Sequence, residues 1–427
     1  MGLVTVFLRV LKSWWGFLGL CVLAALLVRI WVISGYTIPT GSMEPTLHGD
    51  KEEGDRVAVF KLYYHLFDPE RLDMVVFEVP PGEGGAPGPG EERVDGSTTM
   101  VKRVVAFSGE TVRIGDGDLF IGRAGDGGSQ GENGLERFKK TLPLVQSLLI
   151  PVYRACFVPS FFDDWVCYRI EENDLQLDSE AVEKCWTLSG DSLVCNGAHP
   201  EFSGRRVALT FASEIADSYL DDKGLFHAGA CTVGDLSLTV ECEILEDGGG
   251  AVCCELHEGT DSFSFELFTR TAGGGGRVTH PYGDPSVRTI DAGLFPGLEP
   301  GRRTTIQCLN VDNRVALFCD GVLLTEFDYR ENRAFSSTAL YNSPTFGAKG
   351  LKVAFHDVRI DRDIHYIDTG GVGCGGRSFT LPRDSCFVLG DNSSESSDSR
   401  MMGPVKVAWI VGRPFFIFYP FGRMRFL

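Results

Sequence analysis

The chain has 427 residues, too many for one ordinary core, so two or three domains are expected. A formal charge of −18 excludes the basic face that nucleic-acid binding needs, and ordinary apolar content excludes wholesale disorder. Glycine is abundant, 52 residues in short runs, as a strand-rich chain with many turns requires.

Thirteen cysteines are scattered without a Cys-x-x-Cys, and the adjacent Cys253-Cys254 is not a metal-ligand spacing. Neither a metal nor an organic cofactor is implied. Most of the cysteines read as small buried hydrophobes. Outside the cytoplasm, Cys308 with Cys319, or Cys185 with Cys195, are candidate pairs.

In chain order, Trp14 to Ile33 is a mainly apolar run of the length a helix needs to cross a ~30 Å hydrocarbon core. Arg29 and Trp31 lie near its far end, where both suit the interface. Arg9 and Lys12 precede it, so the positive-inside rule keeps the N-terminus cytoplasmic and sends the rest outward. The run is long and aromatic-rich and lacks a small-x-small site, which favours a retained anchor over a cleaved signal peptide.

Next comes Ile38-Pro39-Thr40-Gly41-Ser42-Met43-Glu44-Pro45-Thr46-Leu47. Prolines three residues either side of Ser42, and glycine before it, suit a serine held on a stiff turn beside an extended peptide. Gly54 to Phe60 and Arg71 to Pro80 each read as a turn feeding an apolar strand, Thr98 to Phe107 and Thr111 to Ile114 as further strands, and Asp116-Gly117-Asp118 as a hairpin turn. Residues 123–134 turn polar and glycine-rich, and 135–149 have helical character. From 161 to 363 period-2 segments recur with turns such as Asp320-Gly321, the pattern of a jelly roll or β-sandwich. Beyond 378 the earlier style returns: Cys386 to Leu389 as a strand, Gly390-Asp391-Asn392 as a turn, and an aromatic tail.

A serine hydroxyl needs a group to take its proton. His48 and His65 lie near Ser42 in sequence, and the other six histidines fall in the middle region. Lysine is the other option: burial strips its ammonium of water and favours the free amine. Lys102 sits in the apolar strand Met100 to Val105. Alternation puts Lys102 and Arg103 on opposite faces, so one can be buried while the other meets water.

The combination resembles type I signal peptidase, the membrane-anchored Ser/Lys protease of the export pathway. The resemblance rests on the anchor, IPTGSMEPTL, KRVVAFSGETV and GDNSSESSDSRMMGPV in that order, with RLDMVVFEVP as a weaker match. It covers about residues 1–121 and 378–427. It implies Ser42 as nucleophile and Lys102 as general base. Thr40, with the Ser42 backbone N–H, would form the oxyanion site; Ser396 would orient the lysine amine. Asp398 and Arg400 would shape the site, Asp391 with Asn392 would hold the turn, and Ile38, Pro39, Met43, Leu47 and Val101 would line the substrate pockets. Leu72 and Ala106 stand where the family usually has glycine, and Ser108 where it has proline.

The expected architecture is mostly β: an N-terminal anchor (1–33), an antiparallel β catalytic core in two parts (34–122 and 364–427), a linker with a short helix (123–160), and an inserted β-sandwich (161–363). Insertion into a loop is tolerated because each doubling of loop length costs only ~0.6 kcal/mol. The insert is similar to laminin-G and concanavalin-type jelly rolls, with a carbohydrate or protein ligand open. The partners implied are signal peptides of secretory preproteins and membrane lipid. Processing would fall at acid pH as Lys102 takes up a proton. Two other readings remain at this level: an anchored extracytoplasmic binding protein whose protease halves are only a scaffold, and a self-cleaving Ser/Lys regulator, disfavoured by the anchor and the lack of a DNA-binding segment.

Overall fold

The computed structural model describes residues 17–22, 32–81, 93–94, 97–123, 134–158, 160–169, 175–176, 179–202, 204–259, 261–280, 289–292, 295–329 and 342–427. The chain divides into two units, Met1–Phe138 with Tyr366–Leu427, and Lys139–His365. Both are built mainly from antiparallel strands.

The main sheet of the first unit contains β1 (Ile33–Thr37), β2 (Arg56–Phe60), β3 (Met74–Val79), β4 (Ser97–Phe107), β5 (Ser385–Leu389), β6 (Val405–Lys406) and β7 (Ile410–Tyr419). Their spatial order is β1-β2-β7-β3-β4-β5-β6. The chain's last strands thus pair with its first ones on both sides of β3 and β4. β3 is apolar and β-branched almost throughout, and nearly all of it is buried, as in a strand covered on both faces. Two clusters take the alternate residues of β3 and β4. Met74, Val76 and Val101 join Ile38, Met43, Leu47 and Ile417; Val75, Phe77, Met100 and Val104 join Cys386, Val388 and Val405. β4 therefore runs through the interior, and both of its cations are buried, Lys102 at 1% exposure and Arg103 at 6%. The expectation that one of them meets water fails because neither face of this strand is open.

A smaller sheet holds Glu110–Gly115 and Asp118–Arg123, joined through Asp116-Gly117 with φ of 54° and 90°, the two left-handed residues of a type I′ hairpin. In the second unit, Leu236–Glu258 pairs with Thr345–Arg362, and three register shifts bend the pair. The first half of Leu236–Glu258 also pairs with Arg303–Val311, the second with Asp261–Phe268. One large apolar core results, with Trp165, Trp186 and Phe355 packed round Phe346. The turn Asp320-Gly321 joins Arg314–Cys319 to Val322–Asp328, again with both residues left-handed. The helix Leu142–Leu148 falls where a short helix was expected, and Ile150–Arg154 after it pairs with the long strand Thr345–Arg362.

The thirteen cysteines are free. Leu317, not Cys319, stands opposite Cys308, and Trp186, not Cys185, opposite Cys195, so neither candidate disulfide forms. Burial pushes the thiols of Cys185 and Cys319 up to about 12, so they pack as small apolar groups.

Most of the anchor read at Trp14 to Ile33 lies outside the described residues. Residues 17–22 are helical, and Ile33, read as its last residue, instead opens β1. No helix among the described residues is long and apolar enough to cross a membrane.

Candidate active site

Ser42 sits in the 3₁₀ turn Gly41–Met43, 4% exposed. The loop after it folds back on the turn: Leu47 N–H donates to Met43 O, and Asp50 N–H to Ile38 O. Gly49 makes this possible, since a Cβ there would lie 1.9 Å from the carbonyl of Thr40. Lys102 comes from the middle of β4, opposite Val75. Its Nζ lies 2.6 Å from Ser42 Oγ, the two side chains sixty positions apart in sequence and both buried. Thr40 Oγ1 is 3.5 Å from the same oxygen.

The loop Gly390–Arg400 locks this pair in place. It leaves the end of β5, where Leu389 stands opposite Arg103. Asn392 N–H donates to the Ser42 carbonyl at 3.1 Å, docking the serine turn directly on the loop. Gly390 is the point of closest approach: a Cβ there would be 2.4 Å from that carbonyl and 2.3 Å from Ser396 Oγ. Asp398 and Arg400 are fully buried and joined by two contacts of 2.7 and 2.9 Å. Asp398 also accepts from Gly390 N–H, and Arg400 donates to the Ile367 carbonyl and to Ser393 Oγ and O. Every lone pair and N–H committed inside the loop lowers its freedom to move.

Two partners escaped the sequence reading. Arg103 grips Asp391 with two parallel bonds of 2.7 and 2.8 Å, and Thr46 Oγ1 donates to the same carboxylate at 2.6 Å. Burial opposes the Arg103 charge, but the Asp391 carboxylate outweighs it and raises the guanidinium pKa. One carboxylate thereby ties together the lysine strand, the serine loop and the Gly390 turn. The signal available was Arg103 itself, a cation inside an apolar strand that needs a buried counter-charge.

Ser396 is brought to the site, but its Oγ is buried with no hydrogen-bond partner among the described residues, so the contact with the lysine amine is not made here. Ile38, Met43, Leu47 and Val101 come together as expected, yet at 0–9% exposure they pack on one another and do not line an open pocket; Pro39 is partly exposed. His48 pairs with Glu44 at 3.0 Å.

The fold and site place a serine hydroxyl within 2.6 Å of a buried amine inside an antiparallel β unit. The family described as signal peptidase, peptidase S26, matches residues 11–157 and 355–419. Signal peptidase I of Aquifex aeolicus (strain VF5) is 38% identical over 95 residues, 22% of this chain and 30% of that protein. The probable signal peptidase I-1 of Synechocystis sp. (strain ATCC 27184 / PCC 6803 / Kazusa) is 38% identical over 96 residues, 22% of this chain and 44% of that protein. Signal peptidase I of Rickettsia prowazekii (strain Madrid E) is 28% identical over 162 residues, 32% of this chain and 55% of that protein. The chain thus spans less than two thirds of the length of the relatives it matches. These matches support an enzyme of the signal peptidase I type. Among solved structures, the non-specific endo-beta-1,3(4)-glucanase SCLam aligns at 10% identity and a TM-score of 0.34, covering 51% of this chain and 92% of that one. A likeness this low assigns no ligand to the second unit.

Proposed function

We propose that this chain is a membrane-bound serine endopeptidase that cleaves signal peptides from exported preproteins. The observation that carries the reading is the 2.6 Å contact between two buried side chains, Lys102 Nζ and Ser42 Oγ. Water cannot compete there, and a buried amine loses the hydration that favours its protonated form. Once neutral, Lys102 accepts the Ser42 proton, and Oγ attacks the scissile carbonyl. The proton passes to the leaving amine, the peptide remains as an ester on Ser42, and water activated by the same lysine releases it.

Thr40 Oγ1 and the Ser42 backbone N–H are the donors for the tetrahedral oxyanion; removing one donor of this kind typically costs about 3 kcal/mol of transition-state stabilisation. Ser396 completes the orientation of the amine by a rotation of its unpartnered hydroxyl. Ile38, Pro39, Met43, Leu47 and Val101 would line shallow apolar pockets for small side chains such as alanine on the acyl side once a substrate parts their present packing. An extended substrate adds alongside the segments carrying Ser42 and Lys102. The apolar run that starts at Trp14 and ends before β1 anchors the enzyme with its N-terminus cytoplasmic and its catalytic unit outside, at the height where cleavage sites emerge. The test is incubation of detergent-solubilised protein with a preprotein, followed by N-terminal sequencing of the product. Cleavage after a small residue is expected, and its persistence in Ser42→Ala or Lys102→Ala overturns the assignment.

A further inference from the structure

The second unit carries a cleft of about 820 Å³ that the peptidase reading does not use, within the size range of preformed ligand sites. Its floor is one face of the sheet. Leu238, Val240, Cys308 and Ile360 turn to the core, so the residues that alternate with them turn to the cleft. Strand register sets Arg359, Thr239 and Gln307 side by side in one row, with Asp361 beside Ser237 in the next. One wall is the helix Leu142–Leu148, held down by Val145 against Leu309. The other is the hairpin of Tyr219–Leu220 and Phe226–His227. Arg362 grips its base through the Ser218 and Asp217 carbonyls, at 2.8 and 2.9 Å.

The lining excludes most classes of ligand. It has no aromatic side chain among the described residues, and Leu149 and Leu220 sit on opposite walls, so nothing continuous and apolar awaits a lipid or an apolar peptide. An extended peptide adds to a sheet edge, whereas here the backbone groups of the floor are already paired. Arg154 and Arg359 stand among Asp221, Asp222 and Asp361, so no excess of positive charge draws an anionic chain. What remains is a dense, balanced set of donors and acceptors. Gln146 donates to Gln307 at 3.1 Å and Gln307 to Ser237 at 3.0 Å, and each amide retains further hydrogen-bonding capacity. Arg359 Nε donates to Asp361 Oδ2 at 2.8 Å, setting N–H groups and a carboxylate side by side for neighbouring hydroxyls to bridge. Two groups on the floor are short of partners. The Thr239 hydroxyl has none among the described residues, and Asp361, 4% exposed, has its carboxyl pKa pushed up by burial against the pull of Arg359. The floor crosses four strands, roughly 14 Å, which suits a chain of sugars better than a single ring. We infer that this cleft binds an uncharged oligosaccharide, at a site separate from the peptidase centre.

The test is titration calorimetry on the full chain in detergent. The probes are tetrasaccharides of glucose, galactose, mannose and N-acetylglucosamine, a galacturonate tetrasaccharide as the acidic chain, and an uncharged glycine–serine–glutamine peptide. At least one neutral tetrasaccharide should bind, and more tightly than the acidic chain or the peptide. Thr239→Phe fills the floor and should abolish that binding. Gln146→Ala, at an exposed helix position, should weaken it about threefold to tenfold, the scale of one hydrogen bond, without lowering the melting temperature. Neither residue belongs to the peptidase centre, so both variants should process a preprotein at the wild-type rate. If Thr239→Phe melts early, Gln146→Ala decides. Absence of binding by every neutral tetrasaccharide at about 1 mM, equal or tighter binding of the acidic chain or the peptide, or affinity unchanged in Gln146→Ala and in a folded Thr239→Phe overturns the inference and leaves the peptidase reading intact.

Discussion

Among the described residues two lysines are buried, one in each unit, and their surroundings make them different chemical objects. Lys102, 1% exposed, rests its amine on the hydroxyl of Ser42. Lys140, 8% exposed, holds Asp312 at 2.8 Å and Asp363 at 2.7 Å, and its own backbone N–H donates to Asp312 as well. Burial opposes the charge of Lys140, but the two carboxylates overwhelm it and raise the pKa well above 10.5. An amine fixed in that state is a strut. Burial alone therefore does not fix what a lysine does: the carboxylate pair holds Lys140 charged, whereas Lys102 lies against a hydroxyl, and it is this second lysine that the proposed function makes the base.

The largest effect that can break this contrast is on catalysis. Lys102→Met should reduce preprotein processing by at least about a thousandfold, the scale of losing general-base and nucleophile activation together. Its unfolding free energy should change by only about 1 kcal/mol, since an apolar chain of similar size replaces a buried polar one. Lys140→Met should do the opposite to the fold: it strands two buried carboxylates and costs about 3–5 kcal/mol in urea unfolding. The pH dependence gives the sign. A folded pKa above the unfolded one contributes stability that is fully present below about 10.5 and disappears as pH climbs through the raised value. The wild-type minus Lys140→Met difference should therefore not fall as pH climbs from neutral to about 10 and should shrink only above it, while on the acid side protonation of the stranded Asp363 reduces it. A difference that already falls between pH 6 and 8 would show that Lys140 is not held charged.

The next effect is smaller and concerns what holds the first lysine's strand to the serine. Thr46→Val removes a single bond to the Asp391 carboxylate and should cost about 1.5–3 kcal/mol, the range for bonds to charged groups. Because Asp391 also carries Arg103, processing should drop through kcat while KM barely moves, as the serine turn loosens relative to Lys102. Arg103→Lys keeps the charge but not the two parallel bonds, and should resemble Thr46→Val more than a deletion.

How much of this was legible before the structure differs from residue to residue. Ser42, Lys102 and the Gly390–Arg400 loop stand out because their chemistry is written in motifs of unusual composition, and the turns at Asp116-Gly117 and Asp320-Gly321 because left-handed backbone restricts which residues occur there. The partner of Arg103 was not legible. Alternation tells which face a side chain takes, not whether that face is covered, and coverage of β4 depends on strands that return from the far end of the chain. The pairing of Ile150–Arg154 with Thr345–Arg362 is hidden for the same reason: it is a contact between segments about two hundred residues apart. Ile38, Met43, Leu47 and Val101 share one cluster, but their packing against one another is a property of volume, and a sequence does not state volumes.

The smallest predicted effect is that of Leu72→Gly, at the residue whose carbonyl accepts from Arg103 at 3.0 Å. Its φ is 71°, in the left-handed region, and its side chain is 4% exposed. Those two facts oppose each other. Left-handed backbone costs a residue with a Cβ about 1–2 kcal/mol, whereas burying a leucine side chain contributes about 1.5–3 kcal/mol. Leu72→Gly relieves the first and loses the second, so the net change should lie between about 0.5 kcal/mol of gain and about 2 kcal/mol of loss. Leu72→Ala keeps the strain and loses most of the burial, and should cost about 2–3 kcal/mol. If alanine proves as harmless as glycine in urea unfolding, the side chain is not packed as the structure has it. If glycine proves as costly as alanine, the left-handed turn that aims this carbonyl at Arg103 carries no strain, and the support of the lysine strand at this point comes from packing alone.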